Sequence, residues 1–225
     1  MSADPILDQS AGGPARPADD GDLPLERAGT LCELCRYAEA QAVLSEVISL
    51  EPRNADAWSL MARAQLGQEQ PLAALHAARA AISIGPTHDW PARLESAALG
   101  GLGRHDEAAE AAATAVRLAP HDWRTQVQLA EALTPIKQRL DEAGAAAHRA
   151  LELAPHESRP HIAAGLVAEA NGRRGDAAKA FVRALAIDPH DGAAHANLER
   201  VRRGKGKRLR FLPRLVPRIA PRSRG

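Results

Sequence analysis

Residues 55–88, with the sequence ADAWSLMARAQLGQEQPLAALHAARAAISIGPTH, decide the fold of this chain. Small side chains stand at Ala74, Ala78 and Ala81, and offsets of four and three residues place them on one face of a helix. Pro86 ends that helix, because proline lacks the N–H group that a helix needs and clashes with the preceding turn. Small residues let two helices approach closely, so the stretch predicts a packed helical hairpin.

The same pattern occurs five times along the chain. An aliphatic residue, any residue and a proline recur with prolines 34, 34, 35 and 34 residues apart, at Pro52, Pro86, Pro120, Pro155 and Pro189. Twelve residues before each proline stands an alanine, at Ala40, Ala74, Ala108, Ala143 and Ala177. A fixed period of this length is typical of repeat proteins, in which each unit packs only against its neighbours.

The repeat resembles the tetratricopeptide repeat family over residues 21–203. The unit 55–88 has Trp58 at the family's aromatic position and Met61-Ala62 at its large–small pair, and a later unit has Phe181. The resemblance implies an all-α, right-handed superhelical solenoid of about five helix-turn-helix repeats with a C-terminal capping helix. Residues 1–20 and the basic, proline-containing tail 204–225 are predicted to be disordered.

The repeat phase also predicts where the helices lie. The expected pairs are 23–35 and 38–50, 55–67 and 71–84, 89–101 and 105–118, 123–133 and 140–153, and 158–170 and 175–187, followed by a closing helix at 192–203. The fourth unit contains one extra residue, which we place in the Pro135–Arg139 turn because Pro135 should end the preceding helix.

Polar residues after the repeat prolines are expected to cap helices rather than to bind metal. Asp89, Asp122, Ser158 and Asp191 are the predicted N-caps, and the neighbouring histidines are about one repeat apart and so do not converge on one ion. Cys32 and Cys35 lack a second Cys/His pair that would complete a zinc site, so they are read as small apolar residues. No metal and no cofactor is therefore expected.

Charge is distributed unevenly along the chain, although the formal net charge is only +1. Residues 204–225 carry eight basic side chains and no acidic one, which leaves 21 basic against 28 acidic side chains in residues 1–203. The first twenty residues lack a signal-peptide apolar run, and no stretch reaches the 18 or so apolar residues of a membrane helix. The sequence is therefore read as that of a soluble cytoplasmic protein, and its alanine- and arginine-rich usage suggests a bacterial source.

No catalytic motif is recognisable in the sequence. It contains no phosphate-binding glycine loop after a strand, no nucleophile elbow and no paired-histidine metal motif. The flanking segments of about 20 residues cannot each bury a core. The prediction is a non-enzymatic protein-protein interaction scaffold or adaptor that binds no small-molecule substrate.

The resemblance implies that first helices of successive units line a concave groove that holds a partner peptide or helix. Transferred position by position, the candidate groove residues are Arg63, Arg93, Arg124, Arg159, Trp90, Ser59, Val127 and Ile162. Arginine pairs well with carboxylates, so a partner segment with acidic and apolar residues is expected. The alternative is that these arginines are solvated or pair with the chain's own acids, as Arg63 with Glu69.

The basic tail is the second candidate site. Its predicted anion-binding residues are Lys205, Lys207, Arg208, Arg210, Arg214 and Arg218. Proline at every fourth position, from Pro213 to Pro221, prevents a regular helix there. An anionic membrane surface and nucleic acid would both attract such a segment. The alternative function is therefore an adaptor that acts mainly through this tail, at the inner membrane surface or on nucleic acid, and a third reading gives the tail no ligand.

Overall fold

The computed structural model describes residues 23–85 and 88–204, and every regular element in those ranges is helical. The helices are α1 (Pro24–Glu33), α2 (Tyr37–Leu50), α3 (Ala55–Gly67), α4 (Pro71–Ile84), α5 (Trp90–Gly101), α6 (His105–Leu118), α7 (Trp123–Leu133), α8 (Leu140–Leu153), α9 (Ser158–Ala170), α10 (Arg174–Ile187) and α11 (Gly192–Arg202). A short 3-10 helix, Lys137–Arg139, precedes α8. The predictions for residues 1–20 and 205–225 lie outside the described residues.

The helices form two layers. Each odd-numbered helix packs against the even-numbered helix that follows it, and that helix packs against the next odd-numbered one. The odd-numbered helices also contact one another in sequence from α1 to α11, whereas the even-numbered helices do not pack together to the same extent. The odd-numbered helices therefore form the inner layer of a curved array, and the predicted all-α repeat solenoid is confirmed.

The turns inside the hairpins share one backbone geometry. Gly103 and Gly172 follow their first helices with φ values of 76° and 75°, the left-handed region that glycine adopts without steric cost. Arg173 N–H then donates to the Ala168 carbonyl at 2.8 Å, which satisfies a carbonyl group at the helix end. Cys35 takes the same conformation at φ 59°, so α1 ends at Glu33, two residues before the predicted end.

The fourth unit has a longer turn because of its extra residue. Helix α7 ends at Leu133, as predicted, and Pro135 follows immediately after the Thr134 cap. Thr134 Oγ1 donates to the Ala130 carbonyl at 2.6 Å, and the Lys137–Arg139 3-10 helix then leads into α8. The placement of the insertion between Pro135 and Arg139 is therefore confirmed.

Small side chains bring the layers close together. The alanines that recur before each proline, Ala40, Ala74, Ala108, Ala143 and Ala177, are all fully buried. The Phe181 ring is also fully buried and lies so close to Gly165 that a Cβ atom built there would be 2.4 Å from Phe181 Cε1. The Tyr37 ring covers Gly67 in the same way, with 2.5 Å to Cζ. Glycine at these two positions allows an aromatic ring to lie against the helix backbone.

The N-caps follow the prediction only in part. The Asp122 carboxylate accepts from Arg124 N–H, and the Asp191 carboxylate accepts from the N–H groups of Ala193 and Ala194. Asp89 is the residue before α5, as predicted, but its side chain accepts no cap hydrogen bond, and the predicted cap Ser158 is wrong. The Asp89 carboxylate instead pairs with Arg93, and Ser158 is the first residue of α9 rather than the residue before it.

Ring nitrogens tie several first helices to the preceding proline. Trp58 Nε1 donates to the Pro52 carbonyl at 2.9 Å, and His161 Nε2 lies 3.0 Å from the Pro155 carbonyl. His195 Nε2 lies 2.9 Å from the Pro189 carbonyl. A carbonyl oxygen only accepts, so the two histidines carry their hydrogen on Nε2. The aromatic position of the repeat thus fixes the entry of the chain into the first helix.

Arginine–glutamate pairs cover the start of three second helices. The Nε atoms of Arg36, Arg104 and Arg139 donate to the glutamate three residues later, at 2.7, 2.6 and 3.0 Å respectively. In each pair a terminal guanidinium nitrogen binds the other carboxylate oxygen, which makes the contact bidentate. Each arginine lowers the pKa of its glutamate through this hydrogen bond.

In residues 23–85 and 88–204, no helix is long and apolar enough to span a membrane.

Candidate functional site

The accessible inner surface is smaller than the repeat positions alone imply. Three of the predicted groove residues, Ser59, Val127 and Ile162, have exposed fractions of only 0%, 4% and 3%. All three occupy the fifth position of their units, where adjacent first helices pack side by side and cover the side chain. These residues therefore belong to the core in this structure and do not line an open groove.

Two ion pairs bridge the inner surface in its C-terminal half. Arg159 of α9 donates to Glu131 of α7 at 2.8 Å, and Arg200 of α11 pairs with Glu169 of α9. The carboxylates are the more buried partners, since the side chains of Glu131 and Glu169 are 12% and 16% exposed. The charge of Arg159 is thus balanced within the chain, as the alternative reading of the sequence supposed.

Two further arginines interact close to their own helix starts. Arg93 pairs with Asp89, and both side chains are largely buried. The Arg124 guanidinium lies 4.6 Å from the centre of the Trp123 ring, a cation–π contact, and 3.5 Å from Asp122 Oδ1. About half of the Arg124 side chain is exposed, whereas only 22% of the Arg93 side chain is accessible to a partner.

Arg63 differs from the other three predicted arginines. Among the described residues it has no salt bridge and no hydrogen bond, and Glu69 is not its partner. The side chain is half-buried near the end of α1. Burial raises the pKa of the Cys32 thiol there, and the positive charge of Arg63 opposes that rise. Arg63 therefore places a cation on the inner surface without a carboxylate to balance it.

The repeat geometry predicts which residue of the next unit lies beside Arg63. Glu131 is the ninth residue of its unit and contacts Arg159, the second residue of the next unit. Arg63 is likewise a ninth residue, and the second residue of the following unit is Trp90. Trp90 and Leu66 are both partly buried and pack on the same hydrophobic cluster. We call Arg63, Leu66 and Trp90 the Arg63 patch.

Open space adjoins the Arg63 patch on both sides along the array. Gly29 is the equivalent of Arg63 one unit earlier, and Gly100 is the equivalent of Leu66 one unit later. A Cβ atom built at either glycine would meet no atom within 4 Å. The inner surface is therefore open at these two positions, which leaves room for the backbone of a bound chain to approach closely there.

The other candidate features are not part of this patch. Cys32 is buried at 2% exposure, and in the described part of the chain no three His, Cys, Asp or Glu side chains are grouped so that they could hold a metal ion. The tail residues Lys205, Lys207, Arg208, Arg210, Arg214 and Arg218 lie outside the described residues. The sequence named Arg63 and Trp90 among its eight groove candidates but not Leu66, and it did not separate Arg63 from the other arginines, because nothing in the repeat pattern reveals which arginines have carboxylate partners.

The fold and the open inner surface define an α-solenoid of helical hairpins. A sequence profile of the tetratricopeptide repeat matches residues 32–89 and 95–158, together more than half of the chain. The chain belongs to the tetratricopeptide repeat family, whose members are protein-interaction scaffolds. A comparison with curated protein sequences finds no match.

Solved structures with the same fold include three that illustrate its range. TTC0263, a thermophilic TPR protein of Thermus thermophilus, is 21% identical with a TM-score of 0.71, over 79% of this chain and 96% of its own. YrrB, a TPR protein with an unusual peptide-binding site, is 21% identical with a TM-score of 0.54, over 77% and 89%. Human IFIT1, in a dimer with m7Gppp-AAAA, is 18% identical with a TM-score of 0.69, over 82% and 48%. Identities this low establish the fold alone.

Proposed function

We propose that this protein is a non-enzymatic scaffold whose inner surface binds a partner peptide at the Arg63 patch. The peptide supplies a carboxylate to Arg63 and an apolar side chain to Leu66 and Trp90. The single observation that carries the proposal is the absence of a carboxylate partner for Arg63 among the described residues, since the other three predicted arginines are engaged by the chain itself.

The chemistry of the patch suits peptide recognition. A half-buried guanidinium binds a carboxylate with two parallel hydrogen bonds, and partial burial strengthens that interaction relative to open solvent. Arginine and tryptophan are also the residues that contribute most often and most strongly to protein interfaces. The peptide-binding site described for YrrB supports a role of this kind for the same fold.

Direct binding with a designed probe tests the proposal. The probe is a fluorescein-labelled octapeptide with two leucines between aspartates, and the control peptide has lysine in place of aspartate. We expect the acidic probe to bind the wild-type chain and Arg63→Glu to weaken that binding at least tenfold, because loss of a hot-spot arginine costs about 2 kcal/mol or more. Fluorescence anisotropy measures both affinities.

A matched variant controls for the overall change in charge. Arg183 is exposed on α10, in the outer layer, so Arg183→Glu changes the net charge equally without touching the patch. Its affinity for the acidic probe should stay within twofold of wild type. Equal losses in Arg63→Glu and Arg183→Glu, or equal binding of the lysine peptide, would refute the assignment to the patch.

A second candidate function rests on the charge of the tail. Residues 204–225 carry eight basic side chains and no acid, a composition suited to anionic surfaces. A chain that lacks residues 205–225 should then lose binding to phosphatidylserine vesicles, measured by co-sedimentation, or to single-stranded DNA, measured by anisotropy. Both assays are run in 50 mM and 200 mM salt, about the range over which electrostatic binding of this kind weakens. Unchanged binding of both would eliminate this function and leave the Arg63 patch as the candidate site.

A further inference from the structure

We propose that the Arg63 patch has an internal ligand, the chain's own segment Asp4-Pro5-Ile6-Leu7-Asp8. The inference rests on the proposed function, because it assigns an occupant and a form of regulation to the same patch. An occupied patch is closed to an external peptide until a tighter ligand displaces the segment.

Charge complementarity selects this end of the chain. Residues 1–22 lie outside the described residues and contain Asp4, Asp8, Asp19, Asp20 and Asp22 against the single basic residue Arg16. The other end, residues 205–225, carries eight basic side chains and no acidic one, and would be repelled by Arg63. Within residues 1–22, only Ile6 and Leu7 are adjacent large aliphatic residues, and aspartates flank them closely. That combination matches a cation beside an apolar surface.

The tether is long enough for the segment to reach the patch. Fourteen residues separate Asp8 from Leu23, the residue before α1, and fourteen residues extend to at most roughly 50 Å. Helix α1 is the first helix of the inner layer, and α3 and α5 follow it directly. Two steps between packed helices cover only about 20 Å. The segment therefore reaches Trp90 with most of its tether to spare.

The surface between α1 and the patch is open. Gly29 lies on the inner side of α1, where a built Cβ atom meets nothing within 4 Å. Arg63 is the equivalent residue on the next inner helix. Its positive charge lies close enough to the end of α1 to oppose the rise in the pKa of the Cys32 thiol. A chain that enters from Leu23 thus meets no bulky side chain at Gly29 before it reaches the guanidinium.

Tethering makes even a weak contact effective. A tether of fourteen residues gives an effective concentration of about 1 mM, so a segment with an intrinsic dissociation constant of about 0.1 mM would occupy the patch about nine-tenths of the time. The apparent affinity of an external peptide then falls about tenfold. Weak self-binding is sufficient for regulation, since the external partner needs only a higher intrinsic affinity.

Photo-crosslinking in the full-length chain tests the location. A benzophenone amino acid replaces Leu7, and mass spectrometry maps the intrachain products after irradiation of dilute protein. We expect crosslinks to α3 and α5 around Arg63 and Trp90, and their loss in the Arg63→Glu variant. The same probe at Leu215 in the tail should not label these helices. Products on α4, α6 or other outer-layer helices, or products between chains, would overturn the inference.

Probe binding tests the regulation. The full-length variant Ile6→Ser/Leu7→Ser/Asp8→Asn should bind the acidic octapeptide about tenfold more tightly than wild type, whereas the same changes in an Arg63→Glu background should give no increase. An affinity equal to wild type refutes the internal ligand while the proposed function stands, provided that Arg63→Glu still weakens the probe. If the acidic octapeptide binds no variant and the Leu7 crosslinks are absent, both the internal ligand and the proposed function are refuted.

Discussion

The substitution Gly165→Ala should destabilise the protein although it replaces glycine with the best helix former. Gly165 lies inside α9, where a Cβ atom would be 2.4 Å from Phe181 Cε1 and 2.8 Å from Cδ1 and Cζ. Carbon atoms pack best at about 3.5–4.0 Å, so the new methyl group overlaps the ring. Phe181 is fully buried and therefore has no free space into which it can rotate.

The magnitude follows from two opposing contributions. Overpacking of a well-packed core costs about 1–3 kcal/mol, and the overlap here is more than 1 Å, which places it at the upper end. Alanine recovers about 1 kcal/mol of helix propensity. We expect a net loss of about 1–2 kcal/mol in the free energy of unfolding. In a chain of this length that corresponds to a fall of about 3–6 °C in Tm.

A double-mutant cycle separates the overlap from the helix propensity. Phe181→Ala should cost about 3–5 kcal/mol, since it leaves a cavity in the core. In that background Gly165→Ala meets no ring and should stabilise by about 1 kcal/mol, so its effect changes sign. Gly144→Ala in α8 is the matched control, because its nearest atom is at 4.0 Å. It should stabilise by a similar amount in the wild-type chain.

Urea denaturation followed by circular dichroism at 222 nm measures all five chains, the wild type included, with constant m-values as the check on cooperativity. The reasoning fails if Gly165→Ala stabilises the wild-type protein as much as Gly144→Ala does. It fails equally if Gly165→Ala destabilises the Phe181→Ala background, because the overlap with the ring could then not be the cause.

Three further predictions concern turns, caps and surface pairs. Glu69 and Gly172 both adopt a left-handed backbone conformation, which glycine tolerates best. In thermal denaturation, Glu69→Gly should therefore stabilise the protein by about 0.5–1 kcal/mol and Gly172→Ala should destabilise it by about 1 kcal/mol. Stability changes in the same direction for the two substitutions would contradict this. Asp191→Ala should cost about 1–2 kcal/mol and increase amide exchange in α11, since the carboxylate accepts two N–H groups at 2.9 Å, and unchanged exchange would exclude the cap. Arginine lowers the folded-state pKa of four glutamates, which are Glu39, Glu107, Glu142 and Glu152. Their stabilising contribution is therefore complete above pH about 5 and decreases as the pH falls through the folded-state pKa values. Replacing all four with glutamine should make the stability depend less steeply on pH in this acidic range, and an unchanged pH dependence would refute the pairing.

The repeat fold was predictable because it depends on local, periodic signals. Prolines and small residues at fixed offsets determine where helices end and which face is buried, so even the end of α7 before Pro135 agrees with the prediction. The capping roles of Asp89 and Ser158 were predicted less well. Whether a carboxylate caps a helix or pairs with an arginine four residues later depends on side-chain rotamers, which the sequence pattern does not encode.

The candidate site was predictable only in outline. The resemblance indicated the inner surface, and the sequence pointed to arginine as its main polar residue. Which arginines remain available depends on contacts between successive units, such as Arg159 with Glu131, and those residues are 28 positions apart. Burial of Ser59, Val127 and Ile162 likewise follows from the packing of neighbouring first helices, which repeat phase alone does not describe.

The indole N–H signals of the three tryptophans offer the most direct test of the proposed binding site. In nitrogen-15 correlation spectra, assigned by single Trp→Phe variants, titration with the acidic octapeptide should shift the Trp90 signal. The Trp58 signal should stay unchanged, because its N–H is bound to the Pro52 carbonyl. Arg63→Glu should abolish the Trp90 shift, and Arg183→Glu should preserve it. Binding of the peptide without a change at Trp90, or with the same change in Arg63→Glu, would contradict the account.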